Sequence, residues 1–224
     1  MINVEKIEVK INGLEHVTNS YLVYEESKEA VLIDPGDQKD LIIKNIDKLG
    51  LNINYIIITH SHADHIGAAK DIIDKYKCKM IIEKSDVEKL SNPISNCAYI
   101  LNDMDVKHIS NDKILCVSDS YSFSVGSMSF KLIHTPGHTS GSLCIYEKNS
   151  KSLFTGDTIF DNCYGRCDLD TSSFDEMLSS LRKIFNMFGE EYIKVYPGHG
   201  NVTDLLSAKK RIKLLLKIKN KVDL

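Results

Sequence analysis

A continuous run of β-branched residues ends directly in a cluster of histidines. The run "NINYIIIT" (52–59) is typical of a strand buried on both faces of a sheet, and "HSHADH" (60–65) follows it at once. The next segment, "DHIGAAKDIIDKY" (64–76), repeats apolar residues at helical spacing. We therefore predict a core strand, a short turn and a helix, with Asp64 and His65 in the first turn of that helix.

The histidine cluster concentrates ligand-forming side chains in one turn. Three of the 8 histidines of the chain lie here beside an aspartate. In an extended segment His60 and His62 point to the same side, whereas Asp64 and His65 face a neighbouring direction from the helix. This arrangement predicts two adjacent ligand sets for metal ions, and solvated loop histidines are the simpler alternative.

Three later turns supply further candidate ligands, each directly after a predicted strand. They are His138 in "HTPGHTSGS", Asp157 in "LFTGDTIF" and His199 in "VYPGHGNVT". The glycines in these turns allow backbone angles and close approaches that aim a side chain into a shared pocket. Each turn alone is weak support for a site, but together they complete the ligand sets that the histidine cluster begins.

Strand and helix patterns repeat in the same order in the two halves of the chain. In the first half, "NVEKIEVKI", "NSYLVYE" and "AVLID" predict strands, and "QKDLIIKNIDKLG" predicts a helix that ends at a glycine. In the second half, "YSFSVGSMSFKLIH", "SLCIYE" and "KSLFTGD" predict strands, and "SFDEMLSSLRKIFNMF" predicts an amphipathic helix. Because each sheet must bury an apolar face, we predict an α+β fold, a four-layer αββα sandwich. It would form one domain over residues 1–224, with a C-terminal helix over about 203–220 packed on it.

Composition narrows the expected partners and compartment. The net charge of -3 gives no general basic field, so we expect no nucleic-acid partner. The N-terminus has acidic residues where a secretory signal would be apolar, and no stretch approaches the ~18 apolar residues of a membrane span. We expect a cytoplasmic protein with a small-molecule substrate and no membrane partner, whose oligomeric state the sequence does not define.

The cysteines do not form a recognisable framework. The chain has 6 cysteines without CxxC spacing, so reduced thiols are expected. Cys163 and Cys167, close together in "DNCYGRC", are open to three interpretations: a metal pair, a redox couple, or no function.

Taken together, the motifs resemble those of the metallo-β-lactamase fold hydrolases. The resemblance lies in HxHxDH at His60 to His65, followed in order by His138, Asp157 and His199, and it covers nearly the whole chain. The segments "LIDPGD", "HTPGHTSGS", "FTGDTIF", "YGRCDLD" and "YPGHG" are most similar to the glyoxalase II (hydroxyacylglutathione hydrolase) group and its relatives without a second domain.

This resemblance implies a role for each matching residue. The ligands that it implies for the first metal ion are His60, His62, His138 and Asp157, and those for the second are Asp64, His65, His199 and Asp157. Asp64 and Asp157 would also position a hydroxide that bridges the ions and attacks the substrate. Zinc is the first expectation for both divalent ions, and iron or manganese would suit the same ligands.

Four residues near these motifs have two expected roles each. Asp34, at the end of a strand in "LIDPG", would either orient a histidine ligand or form a turn. Arg166 and Asp168 in "YGRCDLD" would either bind substrate or pair with each other, the pair being preferred. Tyr164 would either line the pocket or pack.

Three histidines and one long segment have no ligand role in these motifs. His134, at a strand end, is expected to make a structural hydrogen bond, and His16 and His108 have no expected role. Residues 84–130 are treated as an insertion. Its segment "EKLSNPISNCAYILNDMDVKH" would either cover the metal site as a specificity loop or lie at the periphery.

Three functions are compatible with these expectations. A dinuclear hydrolase of a thioester or related ester is preferred, because a thiolate with a pKa near ~8.5 leaves without a dedicated acid. A mononuclear iron persulfide dioxygenase-like oxidoreductase is the alternative, since histidines and a carboxylate also suit iron, and a non-enzymatic metal-binding protein is the third. Only 25 residues follow His199, which is room for one helix, so a glutathione-binding second domain is not expected and the thiol carrier is not predicted.

Overall fold

The computed structural model describes residues 1–11 and 13–218, and its strands form two mixed sheets of six strands each. The first sheet contains, in chain order, β1 (Ile2–Lys10), β2 (Val17–Glu25), β3 (Glu29–Ile33), β4 (Asn52–Ile57), β5 (Lys79–Glu83) and β6 (Ile114–Val117). The second sheet contains β7 (Ser122–Val125), β8 (Met128–His134), β9 (Leu143–Glu147), β10 (Ser152–Gly156), β11 (Lys194–Pro197) and β12 (Thr203–Asp204). Its strands lie side by side in the order β12-β11-β10-β9-β8-β7. The helices are α1 (Lys39–Leu49), α2 (Ala63–Ile66), α3 (Ala69–Tyr76), α4 (Phe174–Phe188) and α5 (Leu205–Ile218).

The two sheets pack face to face through one buried apolar layer. Val31 and Ile57 of the first sheet lie in the same cluster as Phe130, Leu132 and Phe154 of the second. Alternate side chains of a strand point to opposite faces, so these residues turn inward while their neighbours turn outward. The interior between the sheets is therefore the central core of the molecule.

Helices cover the outer face of each sheet. Ile42 and Ile46 of α1 and Ile72 of α3 are buried against the first sheet, and the apolar stripes of α4 and α5 are buried against the second. The order of layers is helix, sheet, sheet, helix, which confirms the predicted αββα sandwich.

The strand directions bring several turns to one rim of the sandwich. Strands β3, β4 and β5 are mutually parallel, and β10 is parallel to β11, so the carboxyl ends within each set share an edge. At this rim the two sheets are joined by backbone hydrogen bonds from Leu143 N to Thr59 O at 2.8 Å and from Asn19 N to Gly198 O at 2.7 Å.

The helix predicted after the histidine cluster is interrupted. It forms two helices, α2 and α3, separated by Gly67 and Ala68. The amide of Ala68 donates to the carbonyls of Gly36, at 2.6 Å, and Pro35, at 3.0 Å, instead of continuing the helix. Gly67 lies so close to Gly36 O and to the side chain of Met104 that a Cβ there would overlap both. Contact with the turn after β3, a tertiary effect, thus breaks a helix that the local pattern favours.

Residues 84–130 are not an insertion throughout, which corrects that prediction. They contain β6, β7 and the start of β8, which are regular strands of the two sheets. The irregular part is 84–113, whose short 3₁₀ turns are Lys84–Asp86, Glu88–Ser91, Ala98–Ile100 and Asn111–Lys113. Within it, the carbonyl of Asn96 accepts a hydrogen bond from the amide of Ala63 at 2.7 Å. The segment 88–108 therefore lies against the turn that carries the histidine cluster.

The C-terminal helix, α5, begins at Leu205. It packs on the second sheet through Leu205, Ala208, Ile212 and Leu216, and the predicted positions 219 and 220 lie outside the described residues. None of the helices in the described ranges has the length and apolar character that crossing a membrane requires.

Candidate metal centre

All predicted ligands lie at the rim where the parallel strand ends meet. The histidine cluster follows β4, and the other candidates follow strands of the second sheet: His138 follows β8, Asp157 follows β10 and His199 follows β11. The side chains of both sheets thus converge on one place. We call His60, His62 and His138 the first ligand group, and Asp64, His65 and His199 the second ligand group.

Three imidazoles converge in the first ligand group. Nδ1 of His62 lies 3.1 Å from Nε2 of His60 and 3.0 Å from Nε2 of His138. Burial and the neighbouring imidazoles hold the pKa of His60 well below its usual value and lower the pKa of His62 to about 3. These two rings are therefore neutral and offer lone pairs. One shared proton cannot satisfy three converging nitrogens, whereas one cation can.

The second ligand group has the spacing of ligands around a single ion. Nε2 of His65 lies 3.4 Å from Nε2 of His199 and 3.5 Å from Oδ2 of Asp64, and Nε2 of His199 lies 3.4 Å from the same Oδ2. Two ligand atoms each about 2.1 Å from a tetrahedral ion are about 3.4 Å apart. The three atoms thus match three corners of a zinc-sized coordination site.

Asp157 contacts both ligand groups. Its Oδ2 lies 3.4 Å from Nε2 of His138 and 3.4 Å from Nε2 of His199, and its Oδ1 lies 3.5 Å from Nε2 of His65. Oδ1 is buried and has no hydrogen-bond partner. A buried carboxylate oxygen without a donor is unfavourable unless a cation compensates it, so this atom fits a metal ligand.

A glycine makes the approach of Asp157 possible. A Cβ added at Gly198 would overlap Oδ1 of Asp157 and lie 2.7 Å from Cε1 of His65. The absence of a side chain at this position therefore leaves the space in which the second ligand group and the bridging carboxylate meet.

The histidine rings are oriented from outside the centre. Four of them place Nδ1 near an oxygen; the distances are 2.9 Å from His65 to Asp34 Oδ2, 2.9 Å from His138 to Arg166 O, 2.6 Å from His199 to Val17 O and 3.1 Å from His60 to Thr59 Oγ1. Because a carbonyl only accepts, His138 and His199 must carry a hydrogen on Nδ1, which directs Nε2 into the centre. His62 has the opposite orientation: its Nδ1, rather than its Nε2, points toward His60 and His138.

Charge is concentrated in the second ligand group and at Asp157. Burial alone would raise the pKa values of Asp64 and Asp157, but the adjacent histidines hold both well below their usual range. Burial would likewise lower the pKa values of the histidines, but the carboxylates raise the pKa of His65 to about 8 and that of His199 to about 11. The carboxylates are therefore anions that require positive charge beside them.

Asp34 has a geometry that fits both of its expected roles. Its Oδ2 accepts hydrogen bonds from Nδ1 of His65 at 2.9 Å and from Oγ1 of Thr59 at 2.6 Å, and its Oδ1 accepts one from the Thr59 amide at 2.8 Å. Its backbone turns through the left-handed region with a φ of 49°, which aspartate tolerates better than most residues. The residue both turns the chain after β3 and holds His65 from behind.

The segment 163–168 lies against the first ligand group through its backbone. Arg166 and Asp168 form a bidentate pair, at 2.8 and 3.0 Å, and their side chains are 57% and 70% exposed rather than buried. Tyr164 is half-buried and packs toward Phe174, with ring centroids 6.0 Å apart. Cys163 and Cys167 line a cleft of about 410 Å³ together with Tyr164, Arg166 and Asp168. The groups of the described residues that have metal-like spacing contain no cysteine.

The structure also brings His16 into the centre, contrary to the expectation that it has no role. Its Nε2 lies 2.8 Å from Oδ2 of Asp64, and its ring contacts that of His199 at a centroid distance of 4.8 Å. His108, by contrast, is exposed, and Nε2 of His134 makes the expected structural contact with Ser140 O at 2.8 Å. His16 precedes Asp64 by 48 residues, so local spacing carries no signal for this contact.

Two other contributors were missed from the sequence. Thr18 donates its hydroxyl to Oδ2 of Asp64 at 2.8 Å, and Asp86, fully buried, accepts hydrogen bonds from the amides of Ser61 and Gly141, both at 2.9 Å. A signal existed for Thr18, because "TNS" at 18–20 is a polar run inside an otherwise apolar strand, and all three residues are buried. Buried polar residues in a strand need partners, and here the partners are the centre and its turns.

The donor set suits divalent cations. Imidazole nitrogens and carboxylate oxygens together suit zinc, iron and manganese, and the side chain of His199 is 24% exposed, so the centre has an open side. The residues present therefore fit one cation in each ligand group, with Asp157 between them.

Comparison with known proteins agrees with this geometry. The sequence profile of the metallo-beta-lactamase superfamily matches residues 13–199. The chain is 32% identical to a probable metallo-hydrolase of Methanocaldococcus jannaschii over 203 residues, covering 89% of this chain and 95% of that protein. It is also 32% identical to a hydroxyacylglutathione hydrolase of Pelagibacter ubique over 181 residues, covering 80% of this chain but only 65% of that enzyme.

A solved structure is similar over almost its entire length. The crystal structure of BLEG-1, a B3 metallo-beta-lactamase, superposes with a TM-score of 0.83 at 27% identity and covers 96% of this chain and 99% of that one. The profile match spans every predicted ligand from His60 to His199, and the sandwich has the same architecture. The chain belongs to the metallo-beta-lactamase superfamily.

Proposed function

We propose that this protein is a hydrolase that binds two divalent metal ions and cleaves a thioester or related ester. The observation that carries the proposal is the position of Asp157, whose Oδ2 lies 3.4 Å from a nitrogen of each ligand group. A carboxylate between two complete ligand groups supports two ions that share a ligand, rather than one ion with unrelated histidines nearby.

The bound ions would lower the pKa of a shared water toward about 7 and polarise the carbonyl of the substrate. The protein's own part is to keep the centre ready for them. Asp64 and Asp157 are held as anions, and Asp34 together with backbone carbonyls fixes the orientation of the histidine rings. Since these side chains are mostly buried, little reorganisation is needed when substrate arrives.

A thioester is favoured by the chemistry of its leaving group. A thiol with a pKa near ~8.5 departs as the thiolate, whereas an amide nitrogen must be protonated as it leaves. The 32% identity to a hydroxyacylglutathione hydrolase supports the same substrate class. Because the match spans 65% of that enzyme, the thiol carrier of this protein is a separate question, and glutathione is one candidate.

Zinc is the first choice for both ions. Mixed imidazole and carboxylate ligands with spacings near 3.4 Å suit a tetrahedral ion of its size, and iron or manganese would accept the same donors. The mononuclear iron dioxygenase is disfavoured because the second ligand group, Asp64, His65 and His199, would then have no function. A non-enzymatic metal protein is disfavoured because the centre is open at His199.

The proposal is tested by counting metal ions and assaying two reactions on the same sample. Protein stripped with a chelator is titrated with zinc, iron and manganese, and each form is given S-lactoylglutathione, acyl-coenzyme A thioesters, and glutathione persulfide with oxygen. We expect two equivalents of metal and hydrolysis of a thioester. One equivalent of iron with oxygen uptake, or two equivalents without hydrolysis of any ester, would overturn the proposal.

A pair of histidine variants links the activity to the centre. His60→Ala should lose hydrolysis while its circular dichroism spectrum stays that of the wild type, because the first ligand group is broken at the rim and not in the core. The matched control is His108→Ala, since His108 is exposed and belongs to neither ligand group. Unchanged turnover in His60→Ala would contradict the assignment.

A further inference from the structure

His16 lies on the solvent side of the second ligand group, outside the HxHxDH motif. It is the last residue before β2, and its side chain is 39% exposed, whereas that of Asp64 is only 8% exposed. Nε2 of His16 lies 2.8 Å from Oδ2 of Asp64. The His16 ring also packs edge-on against His199 at 62° between ring planes. One partly exposed histidine thus contacts two members of the second ligand group.

The distances distinguish a hydrogen bond from shared coordination. Atoms bound to one tetrahedral ion are about 3.4 Å apart, as Oδ2 of Asp64 is from Nε2 of His199. The 2.8 Å between His16 and Asp64 is shorter than every separation quoted within the two ligand groups, 3.0 to 3.5 Å, and has the length of a charge-assisted hydrogen bond. His16 therefore donates to Asp64 rather than sharing an ion with it.

The backbone around His16 fixes this contact. The carbonyl of His16 accepts a hydrogen bond from the amide of Ile11 at 3.0 Å, and the next carbonyl, of Val17, accepts Nδ1 of His199 at 2.6 Å. Thr18, one residue further, donates to the same Oδ2 of Asp64 at 2.8 Å. Three consecutive residues thus hold the second ligand group through hydrogen bonds.

We propose that His16 is a positioning residue whose hydrogen bond to Asp64 sets the affinity of the second ligand group for its metal ion. The inference rests on the proposed dinuclear function. Thr18 binds the carboxylate from the buried side and His16 from the solvent side, so the two bonds together fix the direction in which Asp64 presents its oxygens. Outer hydrogen bonds of this kind typically change metal affinity by about 10- to 100-fold.

Two variants separate the hydrogen bond from the packing of the ring. His16→Phe keeps a ring beside His199 but removes the donor, and His16→Gln restores a donor at a similar reach. Zinc binding to chelator-stripped protein is measured by calorimetry. Thermal unfolding of each variant verifies that it is folded. The control is His108→Phe.

The expected result is selective. In His16→Phe the second equivalent of zinc should bind about 10- to 100-fold more weakly with the first unchanged, and His16→Gln should recover most of that loss. The role of His16 would be overturned if His16→Phe bound both equivalents of zinc as tightly as the wild type does. It would also be overturned if His16→Gln bound the second equivalent as weakly as His16→Phe does. Wild-type protein that binds one equivalent would overturn this proposal and the dinuclear function together, whereas two equivalents without esterase activity would overturn the function alone.

Discussion

Nδ1 of His65 donates a hydrogen bond to Oδ2 of Asp34 at 2.9 Å, although the two residues are 31 positions apart and follow different strands. The same Oδ2 accepts the hydroxyl of Thr59. Asp34 thus joins the turn after β3 to the histidine cluster after β4, and it does so with an oxygen that can only accept.

Asp34→Asn should therefore weaken the binding of the second metal ion and also lower the free energy of unfolding. The amide would face the donors of His65 and Thr59 with a donor of its own. We expect about 10- to 100-fold weaker binding of the second zinc, and a loss of about 1–3 kcal/mol in the free energy of unfolding of metal-free protein for each buried donor left without an acceptor. Calorimetry and urea unfolding measure the two effects. Asp40→Asn, an exposed change in α1, should alter neither, and an Asp34→Asn variant with wild-type zinc affinity would contradict the role of Asp34.

Asp86 should matter for stability through the turns that it connects. Its fully buried carboxylate accepts hydrogen bonds from the turn before His62 and the turn after His138, and it pairs with Lys89 at 2.6 Å. Asp86→Ala removes the counter-charge of the mostly buried Lys89 ammonium, which keeps only its contact with Ser140, and takes the acceptor from the amides of Ser61 and Gly141. We expect a loss of about 3–5 kcal/mol in the free energy of unfolding, measured in urea.

The first metal ion should also bind more weakly in Asp86→Ala, since both turns carry its ligands. Asp112→Ala, which removes an exposed pair with Lys113, is the matched control and should cost less than about 1 kcal/mol. Equal stability of the two variants would show that Asp86 does not hold the turns together.

Proton release should distinguish the two ligand groups. The pKa values of about 8 for His65 and about 11 for His199 lie above neutral pH, so both rings are protonated at pH 7 in metal-free protein and must lose those protons to bind an ion. His60 and His62 are neutral already. We expect about two protons released with the second ion at pH 7, falling toward about one as the pH rises above 8 and His65 loses its proton in the metal-free state.

Calorimetric titrations in buffers of different ionisation enthalpy count these protons. The first equivalent should release fewer than the second. Equal counts for the two equivalents would mean that the carboxylates do not charge His65 and His199 as the geometry indicates.

Gly198→Ala should remove the second ion while preserving the sandwich. The new methyl group would occupy the space between Asp157 and His65, and it lies at the rim rather than in a core cluster. We expect loss of the second zinc equivalent and of hydrolysis, with a thermal unfolding midpoint close to that of wild-type metal-free protein. Gly189→Ala is the control: its positive φ of 56° makes a side chain strained, but no atom lies near the added Cβ, so stability should fall without a change in metal binding. Two full equivalents of zinc in Gly198→Ala would refute the prediction.

The fold was predictable wherever the local sequence pattern favours the same structure as the tertiary contacts do. "NINYIIIT" predicts a buried strand because both of its faces are in fact covered, and Gly50 ends α1 in the left-handed conformation that a glycine stop requires. The break at Gly67 was not predictable, because its cause is the approach of the Gly36 carbonyl from another turn. Likewise β5 and β6 are short segments whose strand character comes from pairing with β4 and with each other.

The residues of the candidate centre likewise include some that the sequence predicts and some that it does not. Histidines and aspartates in turns after strands are visible in the sequence, because ligand chemistry restricts their type. The residues that orient them are not, because a buried hydrogen bond can be made by many residue types from any part of the chain. His16, Thr18 and Asp86 all reach their partners across at least 25 positions, and only the folded rim brings them together.

The ligands of each proposed ion come from both sheets, and this has a mechanical consequence. His62 and His138 belong to opposite halves of the sandwich, as do His65 and His199. A metal ion at either position would act as a removable cross-link, closing a long loop of chain much as a disulfide does. The halves could then separate only after the ion departs, so the metal content of the protein would govern how fast it unfolds.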